Sequence, residues 1–528
     1  MMEPVLRIDN LSIDARNSTI IRDVGFEVHP GEIFGIIGES GAGKSTVAMA
    51  TIGLLRAGCQ RVSGSVTLVG NSLFDLAQPA LETVRRRKVS YVAQSAAAAF
   101  NPFYRLEDQI TELAAIELGK SKEERRSLAV NLFRELQLPD PERFGRRYPH
   151  QVSGGQLQRA MIAMALVNEP ELVIFDEPTT ALDVTTQLEV VRLIRKVIKE
   201  RGCGAIYISH DLAVVSQLAD RLMVLRHGKI VETGTTRDVI EAPQQDYTRA
   251  LVANKTTASG MPNAEKSKPI IEVDKLSAGY GGFSAVRDIS LKLSAGHITC
   301  LVGESGSGKT TLARTIAGLV DMHGGAMMLK GQPLPGRVEK RSFDARRRLQ
   351  YIHQLPDLAL NPRQSVRDIV GRPLSWFGGL KGAAREDRLR ELMRDVELPE
   401  NFLDRAPGSL SGGQKQRICI ARALAAEPDV LICDEVTSAL DPLVEESIIR
   451  LLLRLMDERP LTMLFITHNL GLTRRFAHDV AVMRQGEIVE FGPAERIFTN
   501  PHQTYTRTLI HSTPLMERGG WRRVSEEQ

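Results

Sequence analysis

No apolar run among the 528 residues reaches the ~18–20 that a helix needs to cross a bilayer, so the chain is not expected to span a membrane. The opening Met1-Met2-Glu3-Pro4 lacks the basic-then-apolar pattern of a secretion signal, and a cytosolic chain is expected. Cysteine is scarce. Cys59, Cys203, Cys300, Cys419 and Cys433 form no C-x-x-C pair, and several sit in apolar runs. That fits buried free thiols in a reducing compartment and argues against a disulfide framework or a metal cluster. Excess charge is also lacking: 68 basic and 64 acidic residues leave a net +4, which gives no bulk pull toward nucleic acid. The triplets Arg85-Arg86-Arg87 and Arg346-Arg347-Arg348 read as solvated helix faces. Aromatics are only 5%, while 42% hydrophobic and 25% charged residues are ordinary for a globular chain. The length is too great for one core and points to two or more domains.

What is present in excess is repetition. Gly38-Glu39-Ser40-Gly41-Ala42-Gly43-Lys44-Ser45-Thr46 returns 265 residues later as Gly303-Glu304-Ser305-Gly306-Ser307-Gly308-Lys309-Thr310-Thr311. Ser153-Gly154-Gly155-Gln156 returns 258 residues later as Ser411-Gly412-Gly413-Gln414. Asp176-Glu177 returns as Asp434-Glu435 and His210 as His468, both at the same 258 offset. Ordered landmarks at nearly constant spacing imply a duplicated domain. The expected division is a first domain over 1–252, a linker over 253–269 and a second domain over 270–528. The linker is rich in Thr, Ser, Lys, Asn and Pro, and the residues from Glu517 are polar and expected to fray.

Within each repeat, short unbroken apolar runs predict strands buried on both faces at 33–37, 172–175 and 205–208, and at 298–302, 430–432 and 463–466. Amphipathic helices are predicted over 186–199 and 445–456. The pattern is α/β, and a parallel sheet wrapped by helices is expected.

The motif G-x-x-x-x-G-K-S/T follows an apolar strand and leads into a helical stretch in both copies. Glycines let the backbone wrap a phosphate, and successive amide groups form an anion nest. Lys44 and Lys309 are expected on the β- and γ-phosphates of ATP, and Ser45 and Thr310 on Mg²⁺. Each acidic pair closes an apolar strand. The first acid, Asp176 or Asp434, is expected in the Mg²⁺ shell. The second, Glu177 or Glu435, is expected to polarise the attacking water.

The full set resembles the ABC ATPase superfamily over nearly the whole chain. Its distinguishing mark is the signature Val152-Ser153-Gly154-Gly155-Gln156 and Leu410-Ser411-Gly412-Gly413-Gln414. The resemblance implies two tandem P-loop NTPase domains. Each would carry a RecA-like core, an antiparallel β subdomain and a helical signature subdomain. It implies that each signature contacts ATP held by the other domain. It makes Gln94 and Gln354 the Q-loop glutamines, Ala181-Leu182-Asp183 and Ala439-Leu440-Asp441 the D-loops, and His210 and His468 the switch histidines. Tyr280 fits the adenine-stacking aromatic, whereas the aligned position of the first repeat is Ala15, with Arg16 beside it. Pro178 follows the first acidic pair, and Val436 follows the second. No catalytic group is missing, so both sites are expected to hydrolyse ATP.

Two further segments resemble the peptide/nickel importer subfamily. Phe100-Asn101-Pro102 and Leu360-Asn361-Pro362 resemble its "LNP" element. Pro243-Gln244-Gln245-Asp246-Tyr247-Thr248-Arg249-Ala250-Leu251 and Pro501-His502-Gln503-Thr504-Tyr505-Thr506-Arg507-Thr508-Leu509 resemble its tail, with the His-Pro part degraded. The resemblance implies two integral-membrane permease subunits, an extracytoplasmic solute-binding protein and a place on the cytoplasmic face of the inner membrane. Nucleic acid is not an expected partner. A tandem-ABC translation factor would carry a long charged helical linker; this one has 17 uncomplicated residues with a coil span of roughly 23 Å. A DNA-repair ABC ATPase would carry inserted cysteine pairs. The segments directly after the tails, 252–269 and 510–528, hold no cysteine, so no iron–sulfur cluster is expected.

Overall fold

The computed structural model describes residues 3–15, 18–39, 41–179, 182, 184–256, 267–281, 283–438 and 440–511. The chain divides into two compact units, and the division falls after Thr256. The helix Asp246–Thr256 runs four residues beyond the expected end of the first domain. Buried Tyr247 and Leu251 anchor this helix.

The described residues of the first unit form the strands β1 (Leu6–Ala15), β2 (Ser18–Val28), β3 (Ile33–Ile37), β4 (Cys59–Leu68), β5 (Asn71–Ser72), β6 (Val89–Val92), β7 (Leu172–Asp176), β8 (Gly204–Ser209), β9 (Arg221–Arg226) and β10 (Lys229–Thr235). They form an antiparallel sheet in the order β2-β1-β4-β5 and a six-stranded sheet in the order β10-β9-β3-β8-β7-β6. The larger sheet is parallel except at its edge, where β9 and β10 are antiparallel. The expected parallel sheet is formed by five strands, and a sixth is added antiparallel at the edge. The turn at His227-Gly228 is too short for a crossover, so β10 can only run back.

The second unit repeats the plan. Its strands are β11 (Pro269–Tyr280), β12 (Phe283–Ser294), β13 (Ile298–Val302), β14 (Met322–Leu329), β15 (Gln332–Pro333), β16 (Leu349–Ile352), β17 (Val430–Asp434), β18 (Thr462–Ile466), β19 (Asp479–Arg484) and β20 (Glu487–Pro493). The sheet orders are β12-β11-β14-β15 and β16-β17-β18-β13-β19-β20.

The unbroken apolar strands follow from double burial. Along β13, Ile298, Cys300 and Val302 pack into one cluster with the helices Val366–Gly378, Gly382–Asp395 and Gly412–Leu424. Leu301, between them, packs into the opposite cluster with β11, β12 and the phosphate-loop helix. A helical layer thus covers one face of the large sheet and the antiparallel sheet covers the other. The ends of β13, β17 and β18 that carry Gly303, Asp434 and Thr467 emerge on one side, and there the candidate site forms. Among the described residues, no helix is long and apolar enough to cross a membrane. Cys203, Cys300, Cys419 and Cys433 are buried free thiols, and Cys59 is half-buried.

Candidate nucleotide sites

Strand β3 ends at Ile37, and the loop turns sharply through Gly38 (φ 156°) and Gly43 (φ 101°) before the helix Lys44–Ala50 starts. Neither glycine is replaceable. A Cβ on Gly38 would sit 2.1 Å from the Leu225 carbonyl oxygen, and one on Gly43 would lie 2.5 Å from Ile21 Cδ1. Gly303 (φ 148°) and Gly308 (φ 102°) repeat the geometry ahead of the helix Lys309–Ala317. Lys44 is buried, and its Nζ donates to the carbonyls of Gly38 (2.8 Å) and Glu39 (2.9 Å). Lys309 does the same to Gly303 (2.8 Å) and Glu304 (2.7 Å). The ammonium is therefore stored in the mouth of the loop. Gly41, Ala42 and Thr46, with Ser305, Gly306, Ser307 and Thr311 in the second unit, line the same turn and first helical residues. Ser40 lies outside the described residues, as do Arg16, Ala181, Asp183 and Ala439.

The acids are brought to the loop by parallel pairing. Ser45 Oγ donates to Asp176 Oδ1 (3.3 Å), and Thr310 Oγ1 to Asp434 Oδ1 (3.1 Å). Glu177 and Glu435 follow in the left-handed region, at φ 50° and 46°. Each turns back so that its amide donates to the end of the neighbouring strand, at Ile208 (2.9 Å) and Ile466 (3.0 Å). Glu177 is met by Gln94 Nε2 (3.4 Å), His210 Nδ1 (3.2 Å) and Lys44 Nζ (3.9 Å). Glu435 is met by Gln354 Nε2 (2.8 Å) and His468 Nδ1 (3.7 Å). Lysine, glutamine, both acids and histidine thus converge in each unit.

Electrostatics separates the adjacent acids of the second unit. Burial pushes the Asp434 carboxyl up, against the hydrogen bonds from Tyr351 and Thr310. Burial also opposes ionisation of Glu435, but the His468 hydrogen bond and the charges of His468 and Lys309 hold it below its ordinary value. In the first unit burial disfavours the His210 imidazolium, yet the bond and charge of Glu177 raise its pKa overall.

The signatures are not tied to the loop or acids of their own unit by any hydrogen bond among the described residues. Each instead opens a helix, Gly154–Leu166 or Gly412–Leu424, with a reciprocal cap: Ser153 with Gln156, and Ser411 with Gln414. Tyr280 ends β11 with a half-exposed ring, 52% accessible, while Ala15 ends β1.

Sequence reasoning missed Tyr91 and Tyr351. Their hydroxyls donate to Asp176 Oδ2 (2.5 Å) and to Asp434 Oδ2, and fix the carboxylate that Ser45 or Thr310 shares. The signal was available as Tyr-x-x-Gln in both repeats, ending on Gln94 and Gln354. In the second unit Arg314 Nε extends the chain to the Tyr351 hydroxyl (3.4 Å).

Residues 21–180 and 286–438 match the ABC transporter family model, and residues 489–527 match the oligopeptide/dipeptide transporter C-terminal region. An uncharacterised ABC transporter ATP-binding protein YejF of Escherichia coli (strain K12) is 36% identical, over 97% of this chain and 99% of its own. The glutathione import ATP-binding protein GsiA of Shigella dysenteriae serotype 1 (strain Sd197) is 36% identical over 97% of this chain and 90% of its own. The peptidoglycan transport ATP-binding protein YejF of Agrobacterium fabrum (strain C58 / ATCC 33970) is 36% identical over 96% of both. With both cassettes matched and relatives alike from end to end, the chain belongs to the ABC transporter family, as a tandem ATP-hydrolysing component.

Proposed function

We propose that this chain energises a membrane importer of peptides or related small solutes, through two ATP sites, and that both sites are competent. The observation that carries the reading is the convergence of lysine, glutamine, paired acids and histidine in each unit. Lys44 and Lys309, released from the loop carbonyls, bind the phosphates. Gln94 and His210 orient the Glu177 carboxylate toward a water, as Gln354 and His468 orient Glu435. The depressed pKa of Glu435 keeps it ionised at neutral pH, as a proton acceptor must be. Gly154 and Gly412, at signature helix starts where an added Cβ meets no close neighbour among the described residues, are proposed to receive nucleotide phosphate.

The donor set suits Mg²⁺. Ser45 with Asp176, and Thr310 with Asp434, are hard oxygen pairs that already touch. Gln94 and Gln354 donate to the glutamates through their amide nitrogens, and their amide oxygens are proposed to join the shell. Mg²⁺ held there would neutralise charge on the transferred phosphoryl group.

The partners proposed are two integral-membrane permeases and an extracytoplasmic solute-binding protein, with the chain on the cytoplasmic face of the membrane. Apolar side chains stand exposed just beyond each Q-loop glutamine, at Phe103 and Tyr104 and at Leu355 and Leu358. They are the proposed permease contact. The peptide-class cargo is supported by the tail match and the relatives' names. To test this, the full chain carrying Glu177→Gln and Glu435→Gln is purified from detergent extract with ATP. Two polytopic membrane proteins are expected to come with it. Ribosomes without membrane subunits would overturn the importer reading and leave the ATPase.

A further inference from the structure

The two tail stretches have served so far only as markers of resemblance. Each is anchored in its own unit by the same pair of contacts, a glutamate at the helix start and an arginine on the turn, and each brings a tyrosine to the phosphate loop. In the second unit the helix Thr504–His511 is anchored at its start by buried Glu490 of β20, which accepts the backbone N–H groups of His502 (2.9 Å) and Gln503 (3.1 Å). Arg507 closes the turn onto the carbonyls of Pro501 (3.2 Å) and His502 (3.0 Å). The fixed helix lays the Tyr505 ring 4.7 Å from the Arg484 guanidinium. The Tyr505 hydroxyl then accepts the backbone N–H of Glu304 at 3.2 Å.

The first unit repeats the device. Glu232 accepts from Gln244 (2.8 Å) and Gln245 (3.2 Å), and Arg249 bonds the carbonyls of Pro243 (3.2 Å) and Gln244 (2.9 Å). Arg226 lies 4.5 Å over the Tyr247 ring and 3.9 Å from the Glu39 carboxylate. Tyr247 is buried against Glu39, whose charge adds to burial in raising the phenol pKa. Its hydroxyl makes no hydrogen bond of good geometry with another described residue, so this contact is the looser of the two.

The bonded peptide matters. The Gly303–Glu304 peptide offers its carbonyl, that of Gly303, to Lys309 and its N–H, that of Glu304, to Tyr505. When Lys309 turns to a phosphate, the Gly303 carbonyl loses its bond from Nζ, while the Glu304 carbonyl keeps the N–H of Ser307 (3.2 Å). The Tyr505 hydroxyl then still holds the Gly303–Glu304 peptide from outside the loop.

We propose that Tyr505, and more loosely Tyr247, are positioning residues that hold the first peptide of the phosphate loop in its nucleotide-binding shape. The tail is then a strut for the loop. This inference rests on the ATP-site assignment above.

The test uses the full chain and equilibrium binding of a fluorescent ATP. Lys44→Ala silences the first site, so that binding reports the second, and Lys309→Ala does the reverse. Tyr→Phe keeps the ring on its arginine and removes only the hydroxyl. In the Lys44→Ala chain, Tyr505→Phe is expected to weaken binding about five-fold, the scale of one lost hydrogen bond. In the Lys309→Ala chain, Tyr247→Phe is expected to weaken it by no more than about two-fold, as suits a loose contact. In the otherwise unaltered chain, Tyr505→Phe should raise KM for ATP while kcat and Tm stay near the parent values. Unchanged binding would overturn the proposal, and so would a fall in kcat that tracks a lowered Tm, which marks a merely structural role. The Lys44→Ala/Lys309→Ala chain separates the two readings. If it still binds ATP like the parent, the site assignment fails before the strut is in question.

Discussion

Glu177 and Glu435 sit in backbone that side chains rarely adopt, at an intrinsic cost of about 1–2 kcal/mol each. Each is held there by an amide bond to the neighbouring strand and by glutamine and histidine on its carboxylate. The strain aims an acid rather than stabilising the fold. Exchanging both for glutamine keeps size and polarity but removes the proton acceptor. Phosphate release is therefore expected to fall by about 10²–10⁴-fold. Labelled ATP should still bind within about three-fold of the parent, because the loop and its lysine are untouched. A double variant that keeps a tenth of the parent rate would remove Glu177 and Glu435 from the role of base. Their place was legible because a strand that ends in two acids has few structural uses. Tyr91 and Tyr351 were not legible by the same route. Their role exists only once β6 pairs with β7, with Tyr91 opposite Ile174, and β16 with β17, with Tyr351 opposite Ile432. That pairing joins residues more than 80 positions apart, so the repeated Tyr-x-x-Gln marks the tyrosines without telling which acid they meet.

The element that separates binding from packing is the signature helix. Its two glycines look alike in sequence and differ in space. A Cβ on Gly413 would lie 2.4 Å from Val444 Cγ1, and one on Gly155 would lie 2.4 Å from Thr186 Cγ2, so the second glycine exists to let two helices touch. Among the described residues, a Cβ on Gly412 meets only Leu440 Cδ2 at 3.7 Å, and one on Gly154 meets nothing within 4 Å. Gly413→Ala is expected to destabilise the second unit by about 1–3 kcal/mol through overpacking, read as a lowered urea midpoint. Gly412→Ala should leave that midpoint alone and still lower turnover at least about ten-fold, since its cost falls on the phosphate it is proposed to receive. Equal losses of stability in the two variants would refute the division of labour. The buried strands were readable as unbroken apolar runs. The antiparallel sheet was not readable from periodicity, because the pairing of β1 shifts register between Ile8 and Leu11, and again before and after Ile13. Such bulges break the period of two on which a strand pattern depends.

At the scale of the whole chain, duplication has preserved the chemistry and let the nucleotide's surroundings drift. Both units keep the loop, the lysine, the acids and the tyrosine beneath the first acid. Only the second unit ends its first strand on an aromatic, Tyr280, with half its surface open to a base. It also carries Arg314 on the phosphate-loop helix, where the first unit has Met49 at the matching offset. The first unit ends that strand on Ala15, which has no ring to offer. Stacking of one base on an aromatic contributes about 1–3 kcal/mol, so the sites should differ in affinity by about ten-fold or more while sharing a mechanism. The difference can be read one site at a time. A chain carrying Lys309→Ala retains only the first site and is expected to bind labelled ATP about ten-fold more weakly than a chain carrying Lys44→Ala, which retains the second. Placing an aromatic in the first site by Ala15→Tyr in the Lys309→Ala chain should recover most of that gap. Equal affinities in the two lysine variants would show that the first site holds adenine by another group and that the drift carries no energetic consequence. A gap that Ala15→Tyr fails to narrow would move the cause from the base to the phosphate network around Arg314 and Tyr351.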